Sequence, residues 1–563
     1  YVGKGLVLGG RDPVVLIGHA DASWVDDSAM QRLSQGYTLS LGSGSFCWWS
    51  TRSSSVLSSS CEAEIYAGAM AAQELRWLTY LLPDLGEQPR SPPFQYVDNK
   101  AMIALCQEHR WEHRMKHIAL RYFLARELQQ LGQLRLAYVA TMANTADIFT
   151  KALPPGFPTY TDAPGIPTPR SYAEAIEGPY SSQWQSAMDA EMASWKSTDT
   201  YVDEVPPPGA NIVNGMWIFR VKRPPGSPPV FKARYVARGF SQRQGVDYFQ
   251  TFSPTPKMTT LRVLLHVAAQ RNYELHSLEF STAFLQGSLH EEIWLRRPPG
   301  FTGSFPPGTQ WSLRRPVYGL RQALREWQET LRTTLAALVF APSTTDPSLF
   351  LRTDTSLQQF YILVYVDDLV FATADTAGLA HVKSELQKGH TCTDLGELRS
   401  YLGLQITRDR AQRTITLTQS HMVQQVLQRF DFTYSSPQAT PLSTRHSLSA
   451  LPSDESVEPS GPYPELVGCL MYLMTCTRPD LAYPLSILAR YVAPGRHQPE
   501  HMAAAKRVLR YLCSTSGLGL VPGGRRPVVL AGHADASWAD DQATQRSSQG
   551  YTFSLGSGSV SWR

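Results

Sequence analysis

The chain is short of cysteine, of net charge and of long apolar runs, and each shortage narrows what it can be. Its seven Cys in 563 residues are scattered, with no CxxC pair and no Cys/His spacing of the kind that holds zinc. That pattern argues against a disulfide framework and for a reducing compartment. No apolar run is long enough to span a membrane, and the longest, around Tyr361, carries an Asp pair in its middle. A net charge of +4 is too small to declare a polyanionic partner, so the local clusters matter more. There is no signal peptide and the first residue is Tyr1 rather than Met, so a fragment or an open-frame translation is expected.

What is present is ordinary globular material. Hydrophobic residues make up 42% and charged residues 18%, enough for sizeable cores in about three or four domains. The cations are uneven. Arg220, Lys222, Arg223, Lys232, Arg234, Arg238 and Arg243 occur with no acid between Trp217 and Arg243, and Arg314, Arg315, Arg321 and Arg325 form a second group. A cluster of this kind is either a solvated face or a surface for phosphates.

One stretch stands out, Phe360-Tyr361-Ile362-Leu363-Val364-Tyr365-Val366-Asp367-Asp368-Leu369-Val370-Phe371. The apolar arms read as buried strands and the polar break as a hairpin turn. Neighbouring side chains on a straight strand point to opposite faces, so Asp367 and Asp368 converge only at a bend. Two like charges side by side are costly without a cation. A divalent metal is one explanation, and a plain Asp-Asp turn between core strands is the other.

A repeat organises the whole chain. Pro13 to Trp24 recurs as Pro527 to Trp538, 514 residues on (His19 and His533), and the match continues through Tyr37-Thr38 and Tyr551-Thr552. The spacing is too wide for a solenoid, so one domain is expected twice, complete at the front and cut off at the back. The first copy reads as α/β. Val14 to Ala20 and Tyr37 to Trp48 are strand-like, Glu62 to Leu82 helical, Phe94 to Asp98 a strand, Arg121 to Gln130 a helix and Leu134 to Ala140 a strand.

Asp21, Glu64, Asp98 and Asp147 fall at ends of these elements. Singly, each reads as a surface acid or a helix cap. Together with Ser60-Cys61-Glu62-Ala63-Glu64, Val97-Asp98-Asn99-Lys100, Lys116-His117-Ile118 and Thr145 to Leu153, they resemble the ribonuclease H domain of copia-type LTR retrotransposons. The resemblance implies that Asp21, Glu64, Asp98 and Asp147 hold two Mg²⁺ ions and cut the RNA strand of an RNA–DNA hybrid. Glu64 is preferred to Glu62 because it is the second Glu of the motif. Pro154 to Pro169 reads as linker.

Further motifs follow in order. Phe231-Lys232-Ala233-Arg234 to Phe240, Gly245-Val246-Asp247-Tyr248-Phe249, and Leu275 to Leu285 (which begins as a strand, after a helical Thr259 to Asn272) precede Tyr318-Gly319-Leu320-Arg321-Gln322-Ala323 with Trp327. After the Asp367–Asp368 hairpin come Asp394 to Leu398, Tyr401-Leu402-Gly403 and Thr477-Arg478-Pro479-Asp480. The set resembles the reverse transcriptase of the same family. It implies a right-hand polymerase in which Lys232 and Arg234 meet the triphosphate, Gln322 helps to position the nucleotide, and Phe284 blocks a ribose 2′-hydroxyl. Phe284 also reads as a core Phe. Glu279, Asp367 and Asp368 would be the metal-binding carboxylates. Where the family has Pro, Leu324 stands, a change expected to alter the start of that helix.

The expected fold is therefore α/β and α+β multidomain. A ribonuclease H-like domain (1–153) and a linker (154–169) precede fingers, palm and thumb (170–450), a connection (451–516) and a partial second ribonuclease H repeat (517–563). Expected partners are RNA template, DNA primer, RNA–DNA hybrid and deoxynucleotide triphosphates, with Mg²⁺ or alternatively Mn²⁺ as cofactor and no membrane. The resemblance implies an intracellular place, a cytoplasmic virus-like particle or the nucleus. One departure counts against activity. The family's first polymerase carboxylate is Asp, and here it is Glu279, whose extra methylene displaces the charge by on the order of 1 Å. A weakened or Mn²⁺-preferring polymerase, a protein active only as ribonuclease H, and a silent nucleic-acid binder all remain open on sequence grounds.

Overall fold

The computed structural model describes residues 6–7, 15–23, 32–41, 44–56, 60–86, 92–97, 103, 106, 124–138, 169, 171–222, 229–301, 305–353, 359–443, 448, 462–492, 497–524, 529–537, 548–555 and 558–562. The linker 154–168, Lys116-His117-Ile118, Asp98 and Asp147 lie outside these residues. For 15–56 and 529–537 the placement concerns the backbone only.

The centre is a six-stranded sheet in the order 341–342, 349–353, 359–365, 368–373, 274–280 and 392–397. Its main hairpin is buried on both faces, which explains an apolar run without alternation. Phe360, Ile362, Val364, Leu369 and Phe371 pack with Trp327, Leu331 and Leu335 of the helix Ala323–Ala337 and with Leu379, Val382 and Leu386 of the helix Thr376–Gly389. Tyr361, Leu363, Val370 and Ala372 turn the other way, into a core with the helix Met258–Arg271. That helix is buried almost throughout because it lies beneath the sheet.

In front of this unit, strands Gly215–Lys222 and Val230–Ala237 form an antiparallel hairpin over a core of Trp184, Trp195, Trp217, Tyr235 and Trp311. Behind it, helices Ser420–Arg429, Tyr463–Cys476, Ala482–Leu488 and Pro499–Thr515 share a further core. There Arg478 is buried against Asp480, which also accepts from the Tyr511 hydroxyl at 2.8 Å.

The first copy forms Val15–Ser23, Arg32–Leu41, Gly44–Val56, the helix Ser60–Asp84, Phe94–Val97, Leu124–Gln130 and Arg135–Tyr138. The order agrees with expectation, except that Tyr37 to Trp48 falls on two strands rather than one. The helix docks on the central unit: the Tyr361 hydroxyl donates to the Leu85 carbonyl at 2.7 Å, and the Lys257 ammonium lies 3.7 Å from the Trp77 ring centre.

Candidate active site

Register brings three carboxylates together. Strand Glu274–Phe280 runs antiparallel to Asp368–Thr373 with Glu279 opposite Asp368, and Tyr365 faces Asp368 across the hairpin. Only Val366 and Asp367 are left for the turn. The Phe280 amide donates to the Asp367 carbonyl at 2.8 Å, which locks the turn to the strand that bears Glu279. All three acids are partly exposed.

The turn itself is strained. Two-residue hairpin loops need a positive φ at the first position, normally supplied by Gly, and here a β-branched Val366 sits at φ 56°. Trp327 holds it there. Its indole, fully buried, donates to the Val366 carbonyl at 2.7 Å, and its ring meets Phe280 edge-on at 4.9 Å. One side chain thus braces both strands that carry acids.

A cation and two rings form the adjoining wall. The Arg234 guanidinium lies 4.2 Å from the centre of the Tyr318 ring, and Tyr318 meets the half-buried Phe284 edge-on at 4.6 Å. Burial pushes the Tyr318 phenol up to about 12; Arg234 opposes this, while Asp367, Glu191 and Glu279 add to it. The phenol is therefore protonated at neutral pH and able to donate. Burial also raises the Tyr401 phenol, with Asp368, Tyr365 and Asp367 contributing. Lys232 is exposed two residues before Arg234, hence on the same face of its strand.

Two expectations, for Gln322 and Leu324, need correction. Gln322 does not face the cleft: it is fully buried, accepts from the Gln242 amide at 3.1 Å and donates to the Asp247 carbonyl at 2.8 Å. It ties the Gly245–Phe249 segment to the helix start, a positioning task. Leu324 leaves that start intact, since the helix begins at Ala323. The strand from Leu275 stops at Phe280, and Phe284 lies on a short 3₁₀ turn, Ala283–Gln286, after Thr282 at φ 50°. The second basic group is largely engaged in structure. Arg314 pairs with Asp199 and Arg325 with Glu326, both at 2.6 Å, while Arg321 donates to the Gly239 carbonyl at 2.9 Å.

Sequence reasoning placed Tyr318, Trp327 and Asp247 in motifs but gave none of them a role of its own. Asp247 is buried and accepts from Asn211 and from the Arg243 amide, both at 2.6 Å. Its signal was the Gly-Val-Asp-Tyr turn. Gly319 has a similar local cause: at φ 90°, an added Cβ would lie 2.0 Å from the Ala237 carbonyl oxygen.

Among the described residues, no group of three His, Cys, Asp or Glu side chains closes on one point tightly enough to hold a metal. Glu279, Asp367 and Asp368 are therefore neighbours by register without being a closed ligand set. In the first copy, Asp21 lies inside the strand Val15–Ser23 rather than at its end, one residue beyond the pairing of Ala20 with Val97, and Glu64 stands near the start of the helix packed on the same sheet. Their side chains, like Asp98 and Asp147, are outside what is described.

Residues 199–444 match the family described as reverse transcriptase (RNA-dependent DNA polymerase). The chain is 35% identical over 402 residues to the retrovirus-related Pol polyprotein from transposon TNT 1-94 of Nicotiana tabacum, covering 70% of this chain and 30% of that one. It is 36% identical over 393 residues to the Pol polyprotein from transposon RE2 of Arabidopsis thaliana, covering 69% and 26%. It is 32% identical over 285 residues to a putative transposon Ty5-1 protein of Saccharomyces cerevisiae, covering 51% and 91%. The chain thus spans under a third of the long plant polyproteins and nearly all of the short yeast one.

Proposed function

The chain belongs to the copia-type retrotransposon polyproteins and carries their reverse transcriptase domain, and on that premise we propose that it extends a DNA primer on an RNA template at Glu279, Asp367 and Asp368. The observation that supports this reading best is the register that sets Glu279 opposite Asp368 beside the Asp367 turn. Three carboxylates are hard oxygen donors, and their mutual repulsion favours a divalent cation, so the donor chemistry fits Mg²⁺ or Mn²⁺. A bound cation would supply activation of the primer 3′-hydroxyl and neutralisation of charge at the α-phosphate.

The chain's own groups do the rest. Arg234 and Lys232 attract and orient the triphosphate. The Phe284 ring narrows the sugar site against a 2′-hydroxyl, and Tyr318 holds both Phe284 and Arg234 in place. Trp327 keeps the strained turn from relaxing. The test is primer extension on RNA: Asp367→Asn should remove synthesis, and undiminished synthesis would refute the assignment.

A second activity has separate support. Asp21, one residue beyond the pairing of Ala20 with Val97, and Glu64 on the covering helix would belong to a ribonuclease H site completed by Asp98 and Asp147. The longer arm of Glu279 favours a weak polymerase over a strong one.

A further inference from the structure

Two hairpin turns of the molecule share an uncommon construction. Tyr401 pairs with Leu404, which leaves Leu402 and Gly403 for the turn, at φ 49° and 75°. Two positive angles suit a type I′ turn, but Leu is costly at its first position. Tyr472, on the helix Tyr463–Cys476, donates its hydroxyl to the Leu402 carbonyl at 2.5 Å. The Val366 turn is held in the same way by the Trp327 indole. In each case a helix supplies an aromatic donor to the carbonyl of the strained residue.

The braced Leu402 turn fixes Tyr401. Strand Cys392–Glu397 sets Thr393 opposite Glu279, and the Leu398 amide then donates to the Leu275 carbonyl at 2.9 Å. Tyr401 enters the core against which Tyr365 packs, and Tyr365 is the partner of Asp368 across its hairpin. Tyr401 is 4% exposed, and its hydroxyl is buried without a hydrogen-bond partner among the described residues. An unpaired buried donor is costly, and Phe would fill the same space without that cost, so packing alone does not account for the hydroxyl. Burial raises this phenol most, followed by Asp368, Tyr365 and Asp367. It stays protonated at neutral pH, a donor on which Asp368 acts more than any other charged group.

We propose that Tyr401 is a positioning residue for DNA synthesis: its phenol donates to the Asp368 carboxylate and so fixes which oxygen is left for a divalent cation. This rests on the reading of Asp367 and Asp368 as polymerase carboxylates. The Leu402 turn and Tyr472 keep the phenol in place, as the Val366 turn and Trp327 keep Asp367. Partners that orient a metal ligand in this way are worth about ten- to a hundredfold in metal affinity or activity.

Tyr401→Phe in the full chain tests this, because the ring stays and only the hydroxyl goes. Without divalent cation the variant should unfold at the parent temperature or slightly above, since an unpaired buried donor is removed; a clear drop would make the hydroxyl structural and overturn the proposal. Mn²⁺ binding to the protein alone, followed by electron paramagnetic resonance, should weaken about tenfold at one site. In the Asp368→Asn background the same substitution should change nothing, which separates this site from the acids of the first copy; a weakening that persists there would overturn the link to Asp368. Primer extension should need about tenfold more Mg²⁺ for its half-maximal rate and recover at high Mg²⁺. Tyr472→Phe should give part of the same rise, and a parent-like Mg²⁺ response would overturn the brace. Asp367→Asn is the control for the underlying reading. If it leaves synthesis intact, the carboxylate assignment fails and this proposal with it. If it abolishes synthesis while Tyr401→Phe binds Mn²⁺ and responds to Mg²⁺ as the parent does, the positioning role alone is overturned.

Discussion

Shortening Glu279 to Asp tests the polymerase site most directly, because the surrounding backbone cannot absorb the extra methylene. Glu279 is fixed by its pairing with Asp368 on one side and Thr393 on the other. The next residue, Phe280, is 1% exposed, gives its amide to Asp367 and packs on Trp327. A strand held on both edges cannot retreat, so the carboxylate itself is displaced, by on the order of 1 Å. Misplacement of that size costs about a hundredfold in rate. Glu279→Asp should therefore speed primer extension in Mg²⁺ by up to about a hundredfold, or about 2.7 kcal/mol in barrier. The gain should be smaller in Mn²⁺. The assay is single-nucleotide incorporation on a primed RNA template under each metal at one salt concentration, because phosphate contacts weaken with salt. No gain in Mg²⁺, with Asp367→Asn still abolishing activity, would refute the geometric argument.

Trp327→Phe keeps the ring against Phe280 but leaves the Val366 carbonyl without its donor; thermal unfolding should show a loss of about 1–3 kcal/mol and primer extension should fall. His266 is fully buried and held down to about 3, so the unfolded chain takes up its proton below about 6.5 while the folded chain refuses it. Stability should thus drop by about 2 kcal/mol as pH falls from 6.5 to 5, and urea unfolding of His266→Leu should show a shallower pH slope. Burial lowers His276 and His390 as well, which adds to the loss in the same direction. Asp98→Asn should abolish cleavage of RNA in an RNA–DNA hybrid, and cleavage at the parent rate would remove that residue from the site.

The strands of the central hairpin were legible because both faces of that sheet are covered, leaving an unbroken apolar run with its break at Asp367–Asp368. Asp367 and Asp368 announced themselves as charges where burial forbids them. Glu279 could be found only through the family's motif order, since an acid at the end of a strand has no local peculiarity. Tyr318 and Trp327 were not legible as site residues. Their importance arises from partners distant in sequence, such as Trp327 and Val366, which are 39 residues apart. Gln322 was misread for the same reason: a motif gives a residue's neighbours along the chain, whereas its amide is consumed by Gln242 and Asp247.

The repeat shows the limit most plainly. Two copies with the same pattern of strand residues have the same local preferences and the same pairing register, so a pattern read along the chain gives the elements of each copy and not the partners that each one takes.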